Sequence, residues 1–213
     1  MKINSKAELR FVLMADLMMN RGVSCRSIKS RVREFFIPDY IMDYLRCMRH
    51  VSFYSCRKGL YNRLMYIIYV MRYRRLGIKL GFSIGCDCFG YGLVIPHYGT
   101  IVVGDSNRIG NYAVLHTSTC ISGNGKTIGD ALYLSTGVKM TSKLILGSNV
   151  SVGANSVVNK SFDEDNIMIA GAPAKVVKPS PAWYIRDGVE FSNKVDFIEK
   201  IKQAYLDGTK NKL

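Results

Sequence analysis

The chain has 213 residues, 48% of them hydrophobic, enough to bury the core of one domain of about 150 residues with an appendage, which excludes a disordered chain. Thirty basic residues against sixteen acidic ones give a net charge of +14, a field that attracts polyanions or an anionic surface. The longest uninterrupted apolar run, Leu64 to Met71, falls far short of the roughly 20 residues a spanning helix needs, so no membrane span is expected.

Residues 1–76 read as a helical region. Leu9, Leu13 and Leu17, then Tyr40, Tyr44 and Met48, recur at helical spacing, with Pro38 as a break. The early run Phe11 to Met19 is interrupted by Asp16 and lacks a small-residue cleavage site before Arg21. It is therefore not read as a secretory signal, and a cytoplasmic location is expected. Basic charge concentrates between Arg46 and Arg75, where YNRLMYIIYVMRYRRLGIKLG mixes aromatic and aliphatic residues with arginine. That mixture favours peripheral contact with an anionic membrane on its inner face, or an anionic lipid-linked substrate, with a solvated helix face as the simpler alternative. No zinc-finger, RNP or basic-zipper pattern accompanies the charge, so nucleic acid is not expected as a partner.

After Gly77 glycines and β-branched residues become frequent, which places a boundary there and a second region over 77–178. Within it Val103, Ile109, Leu115 and Ile121 are spaced by six; after one extra residue Ile128, Leu134, Met140, Leu146, Val152 and Val158 continue by six. The next position is small in most cases, as in Gly104, Gly110, Gly129 and Gly147. A six-residue period suits neither a helix nor an alternating strand. It suits a short strand plus a corner, three of which close one triangular coil with the aliphatic residue inside; next to it the chain must turn tightly, which favours a side chain without bulk. Stacked coils then continue parallel ladders. The exit segment IMIAGAPAKVVK carries a stiff Gly171–Pro173 turn, and in the tail, 179–213, Val195, Ile198, Ile201 and Tyr205 share one face of a short helix.

Cys25, Cys47, Cys56, Cys86, Cys88 and Cys120 include no CxxC pair and read as reduced thiols. Cys86, Cys88 and His97 give three donors where structural zinc takes four, so no metal is expected. GNGKT mimics a phosphate loop, but Cys120 stands where its first glycine belongs, so a nucleotide P-loop is rejected.

The repeat, HYGTIVVGD at 97–105, and VGANSVV with GAPAKVV within 152–177 resemble the hexapeptide-repeat acyltransferases, in their serine acetyltransferase-like branch. The resemblance covers roughly 81–178. It implies a left-handed parallel β-helix, a homotrimer with sites between neighbouring prisms, and transfer of acetyl from acetyl-CoA to a hydroxyl acceptor. In that family a histidine opening the TIVVG strand removes the acceptor's proton, and His97 occupies that place; neutral imidazole accepts a proton at pH 7. His116, one eighteen-residue coil plus one further on, is a candidate second group of the acceptor site. The family's orienting aspartate falls at Phe82, leaving Asp105, Asp87 or a backbone carbonyl to orient the base. By the same resemblance CoA lies beside Thr136 and Gly137, then Ala154, then Ala172 and Lys175, with Lys139 a further candidate. The family's serine-specific enzymes carry a longer loop with an Arg-His pair; here Gly123–Lys126 runs directly into Thr127. The short loop turns the expectation toward a sugar hydroxyl in surface polysaccharide biosynthesis, with serine O-acetylation as the alternative enzyme and a non-catalytic trimeric scaffold at the membrane as the alternative of another class.

Overall fold

In a computed structural model, which describes residues 1–206, all ten aliphatic positions of the repeat point inward, none more than 5% exposed. The short strands they sit on are β1 (Phe82–Ile84), β2 (Ile101–Val103), β3 (Arg108–Ile109), β4 (Val114–Leu115), β5 (Thr119–Ile121) and β6 (Thr127–Ile128). There follow β7 (Tyr133–Leu134), β8 (Lys139–Met140), β9 (Ile145–Leu146), β10 (Ser151–Val152), β11 (Val157–Val158), β12 (Ile167–Gly171) and β13 (Ala174–Pro179). They stack into three parallel faces: β1-β2-β5-β8-β11 (face A), β3-β6-β9 (face B) and β4-β7-β10-β12 (face C), which antiparallel β13 closes. The product is a left-handed parallel β-helix of about five turns.

Through the middle coils, partners lie eighteen or nineteen residues on, as in Ile101↔Thr119 and Cys120↔Lys139, while the first coil gives twenty at Val94↔Val114 and the last seventeen at Ser151↔Met168. The extra residue between Ile121 and Ile128 is absorbed in the corner 122–126, where Gly125 takes φ 73°. The small residues after the inward aliphatics serve a purpose other than turning. Gly110 is not among the positive-φ positions, and a Cβ on it would lie 2.7 Å from the Asp130 nitrogen of the next coil. Space between coils, rather than chain reversal, selects glycine there. The left-handed turns fall elsewhere: Tyr112, Ala131, Asn149 and Asn166 on the edge between faces B and C, and Ser118, Gly137 and Asn155 on the edge between C and A.

Ahead of the coils come α1 (Lys6–Arg21), α2 (Ile28–Phe36), α3 (Tyr40–Ser55) and α4 (Leu60–Leu80). Ser5 caps α1 by accepting from the Glu8 N–H, and Glu8 reaches back to the Asn4 N–H. Pro38 lies between α2 and α3, and Asp39 caps α3. The last helix runs past Gly77 to Leu80: a Cβ at Gly77 would lie 2.8 Å from the Phe82 oxygen, so this glycine permits close approach of helix to first strand instead of ending the helix. After the coils, α5 (Trp183–Arg186) and α6 (Val189–Leu206) fold back over face C. Phe11, Val12, Trp183, Val195 and Ile198 form with Tyr91, Tyr112 and Val114 a second core between face C and α1, α5 and α6. Val195 and Ile198 are buried as the tail's helical face requires.

His50 on α3 stacks on Tyr69 of α4, ring centroids 4.2 Å apart, while its Nδ1–H donates to the Arg46 carbonyl. Burial pushes its pKa from 6.5 down to about 4. Between those values the unfolded chain binds a proton that the folded chain refuses, so this contribution is complete above pH 6.5 and is lost as pH falls toward 4. Denaturant titrations at pH 7 and at pH 5 are expected to show His50→Phe losing less stability than wild type on acidification, by up to about 2 kcal/mol.

Candidate active site

The edge between faces C and A is the place where the histidines meet. On the first coil seven positions separate Val94 on face C from Ile101 on face A, whereas five separate their partners Val114 and Thr119 on the second. The corner over 96–100 is thus two residues longer than the one beneath it, and His97 on it is exposed. The end of α4 pins this corner: the Gly99 N–H donates to the Leu80 carbonyl at 2.9 Å and the Ile101 N–H to Gly81 at 3.0 Å. Gly99, at φ 139°, sits over Thr117 of the next corner, where a Cβ would come within 3.1 Å of its methyl. Among the described residues neither ring nitrogen of His97 has a protein hydrogen-bond partner, so both are open to a ligand.

His116 lies on the corner below. It is half-buried, and its Nε2 is 2.9 Å from the Tyr133 hydroxyl on the third coil. Burial, with the neighbouring His97 adding to it and Asp187 opposing, holds its pKa below the ordinary value, which favours the neutral ring at pH 7. The Arg186 guanidinium at the end of α5 lies 4.8 Å over the Tyr133 ring, donates to Ser151 Oγ of the fourth coil at 2.8 Å, and pairs with Asp187 at 2.7 Å. The folded-back tail therefore forms one wall beside the two histidines. Sequence reasoning missed Tyr133, Arg186 and Asp187. The last two lie beyond the repeat, where no period marks them.

Asp105 is not part of this cluster. It is exposed at the far end of β2, on the edge between faces A and B, where it approaches Gly85. A three-residue strand, about 10 Å long, stands between it and the His97 corner of the same chain, so within one chain the two do not meet. Asp87 is taken up elsewhere, accepting from the Ser52 hydroxyl at 2.6 Å. The carboxylate whose field does reach His116 belongs to Asp187.

Down the same edge the corners stack in register. The Gly137 N–H donates to Thr117 at 3.1 Å and the Asn155 N–H to Thr136 at 2.9 Å. Thr136, Ala154 and Ala172 are exposed on successive levels and Gly137 half-exposed, leaving a strip nearly free of long side chains below the histidines. Lys139 stands beside this strip on face A with its ammonium on the Ser118 carbonyl; Lys175 is exposed on β13, opposite Ala170. Lys126 behaves differently: it is buried and donates to the Ser122 carbonyl and hydroxyl at 2.8 and 2.9 Å, so the GNGK turn offers no ammonium to a phosphate. Cys86 and Cys88 are protonated thiols, pushed up to about 11 chiefly by burial, and Cys88 donates to the Gly104 carbonyl.

Fold and edge together define a β-helix of six-residue repeats with two histidines at the head of a strip of small residues. No family model matches the chain. It is 30% identical to a serine acetyltransferase of Staphylococcus aureus (strain Mu50), over 57% of this chain and 61% of that protein. A second, from Synechococcus elongatus, is 27% identical over 55% of this chain and 50% of that protein. The chain thus spans half to three-fifths of the length of these curated relatives. Among solved structures, the serine acetyltransferase of Brucella abortus superposes with a TM-score of 0.59 at 19% identity, covering 82% of this chain and 69% of that one. A serine acetyltransferase in complex with CoA superposes at 0.57 with 17% identity, covering 81% and 71%. At those identities the structures establish the fold. In sequence, over that shared part, the chain is similar to serine acetyltransferases.

Proposed function

We propose that the chain is an acetyl-CoA-dependent O-acetyltransferase with His97 as general base. The observation that carries this reading is the exposed His97, on an outsized corner, at the head of a strip of small residues that continues down the same edge. A ring nitrogen of His97 takes the acceptor's hydroxyl proton as the oxygen attacks the thioester carbonyl. Collapse of the tetrahedral oxyanion expels CoA thiolate, which takes the proton back from His97. No acyl-enzyme is needed. The small residues Gly137, Ala154 and Ala172 admit the pantetheine close to the backbone, and Lys139 and Lys175 supply charge for the nucleotide phosphates. His116, held by Tyr133, lines the acceptor end. The whole edge is open to solvent, and a neighbouring copy in a cyclic trimer would close it into three equivalent sites.

L-serine is the acceptor to which the relatives' names point. A second reading, a sugar hydroxyl of a surface polysaccharide or its precursor, is favoured by the short 123–126 turn, which lacks the Arg-His pair that holds the amino acid in the serine-specific enzymes and turns its lysine inward. Thiol release from acetyl-CoA, measured with L-serine and with nucleotide sugars or oligosaccharides, separates the two. Turnover on serine alone removes the sugar reading; turnover on sugars alone removes serine; no thioester turnover with either overturns the enzyme and leaves a trimeric scaffold.

A further inference from the structure

Exposed apolar surface is unevenly spread over this molecule. Of 21 large hydrophobic side chains exposed among the described residues, 14 lie between Val23 and Ile78, on or beside α2 and α4. On α4 they recur every three or four residues, as Leu60, Leu64, Ile67, Met71 and, past Arg74, Ile78, with Leu60 and Ile78 both 86% exposed. That period draws one stripe along a helix of 21 residues whose other side packs on α3. The much shorter α2 presents Ile28, Phe35 and Phe36, the two phenylalanines 81% and 75% exposed. Asp43 of α3 lies 3.9 Å from both Arg26, just ahead of α2, and Arg72 on α4, so the start of α2 and the middle of α4 approach one carboxylate. An exposed apolar stripe of this length on a charged protein, with further exposed phenylalanines on α2, marks an interaction face.

Charge selects the occupant. The sequence of α4 holds Arg63, Arg72, Arg74, Arg75 and Lys79 and no acidic residue. Arg63, Arg74 and Arg75 make no ion pair among the described residues and are exposed beside the stripe. A second copy is a poor partner, because a two-fold pairing of α4 with itself sets cation against cation with no anion to relieve it. No described helix is long and apolar enough to cross a bilayer. An aliphatic stripe flanked by unpaired arginines suits a helix lying in the headgroup plane of an anionic membrane, its side chains in the acyl boundary and its guanidinium groups on phosphates.

We propose that α2 and α4 form a docking face for an anionic lipid bilayer. The proposal is independent of the acetyl-transfer reading, and its test needs no turnover. The purified full chain is floated with vesicles of phosphatidylcholine, alone or mixed with phosphatidylglycerol, at low and high salt. It is expected to bind the mixed vesicles, to ignore the neutral ones, and to be released by salt. Arg63, Arg74 and Arg75 changed together to serine should weaken binding about a hundredfold, since each surface cation contributes on the order of 1 kcal/mol at such a membrane. The triple lysine variant should retain it. Ile67→Asp with Met71→Asp should abolish binding with the melting temperature unchanged, because both side chains are exposed. Absence of binding, or equal binding to neutral vesicles, overturns the proposal. So does a larger particle in vesicle-free solution that the Ile67 and Met71 changes dissociate, for the face would then belong to a second copy.

Discussion

Alanine at His97 is expected to lower kcat for thiol release from acetyl-CoA by about 10²- to 10⁴-fold, the range that loss of a general base commonly costs. The substitution should be silent structurally. The side chain is exposed and no described residue bonds its ring, so the melting temperature should stay at the wild-type value. That separation of rate from stability makes the experiment decisive, because a lost activity cannot then be assigned to a lost fold. His116 supplies the internal comparison. Its Nε2 is engaged by Tyr133 and its ring is half-buried, so it holds its neighbours in place and is the poorer candidate to meet an incoming hydroxyl. Alanine there should raise KM for the acceptor more than it lowers kcat, whereas His97→Ala should act chiefly on kcat. Unchanged turnover in the His97 variant would move the base elsewhere, and a larger kcat loss at His116 would name the replacement.

The coil was legible in the sequence because its constraint is local and repeats. Each inward position from Val103 to Val158 faces the same packed interior, so the same chemistry returns every six residues. The helices were legible for a similar reason, since Tyr44 and Met48 recur on the buried side of α3. Sites do not repeat, and there the reading was uneven. His97 stood out by its flanking string, but a string gives no edge of the prism: Asp105, eight residues on, lies past a complete strand at another corner. Asp187 reaches His116 only because α5 folds back over face C, held by the Trp183 indole N–H on the Tyr112 carbonyl at 2.7 Å. Asp16 is the sharpest case. In the sequence it merely interrupts an apolar run; in the fold it is 1% exposed and paired with Arg49, which is 0% exposed. A buried charge and a solvated one look the same until the partner, 33 residues away, is in view.

That pair carries the largest expected effect on stability. A β-helix presents at its first coil a rim of backbone groups with no preceding coil to bond, and such groups, once buried, must be satisfied or cost free energy. Here α1 and α3 satisfy them with side chains. Arg49 donates to the Phe89 and Gly90 carbonyls at 3.0 and 2.6 Å, Asp16 accepts from the Leu93 N–H at 3.0 Å, and Asn20 bonds the Leu93 carbonyl and the Ile95 N–H. The two charges bind each other through both carboxylate oxygens, at 2.8 and 3.2 Å. Asp16→Ala leaves a guanidinium in the interior without its counter-charge and an N–H without its acceptor, which should destabilise the protein by about 3–5 kcal/mol. For a chain of this size that lowers the melting temperature by about 10 °C. Arg49→Met should cost a similar amount, because it strands the carboxylate and two carbonyls. The double variant should cost less than the sum, since each single change already leaves the other's partner unpaired. Calorimetric melting of the three variants checks this. Single changes within about 1 kcal/mol of wild type would mean that water, rather than the helices, satisfies the rim, and that residues 1–76 do something other than cap the coil.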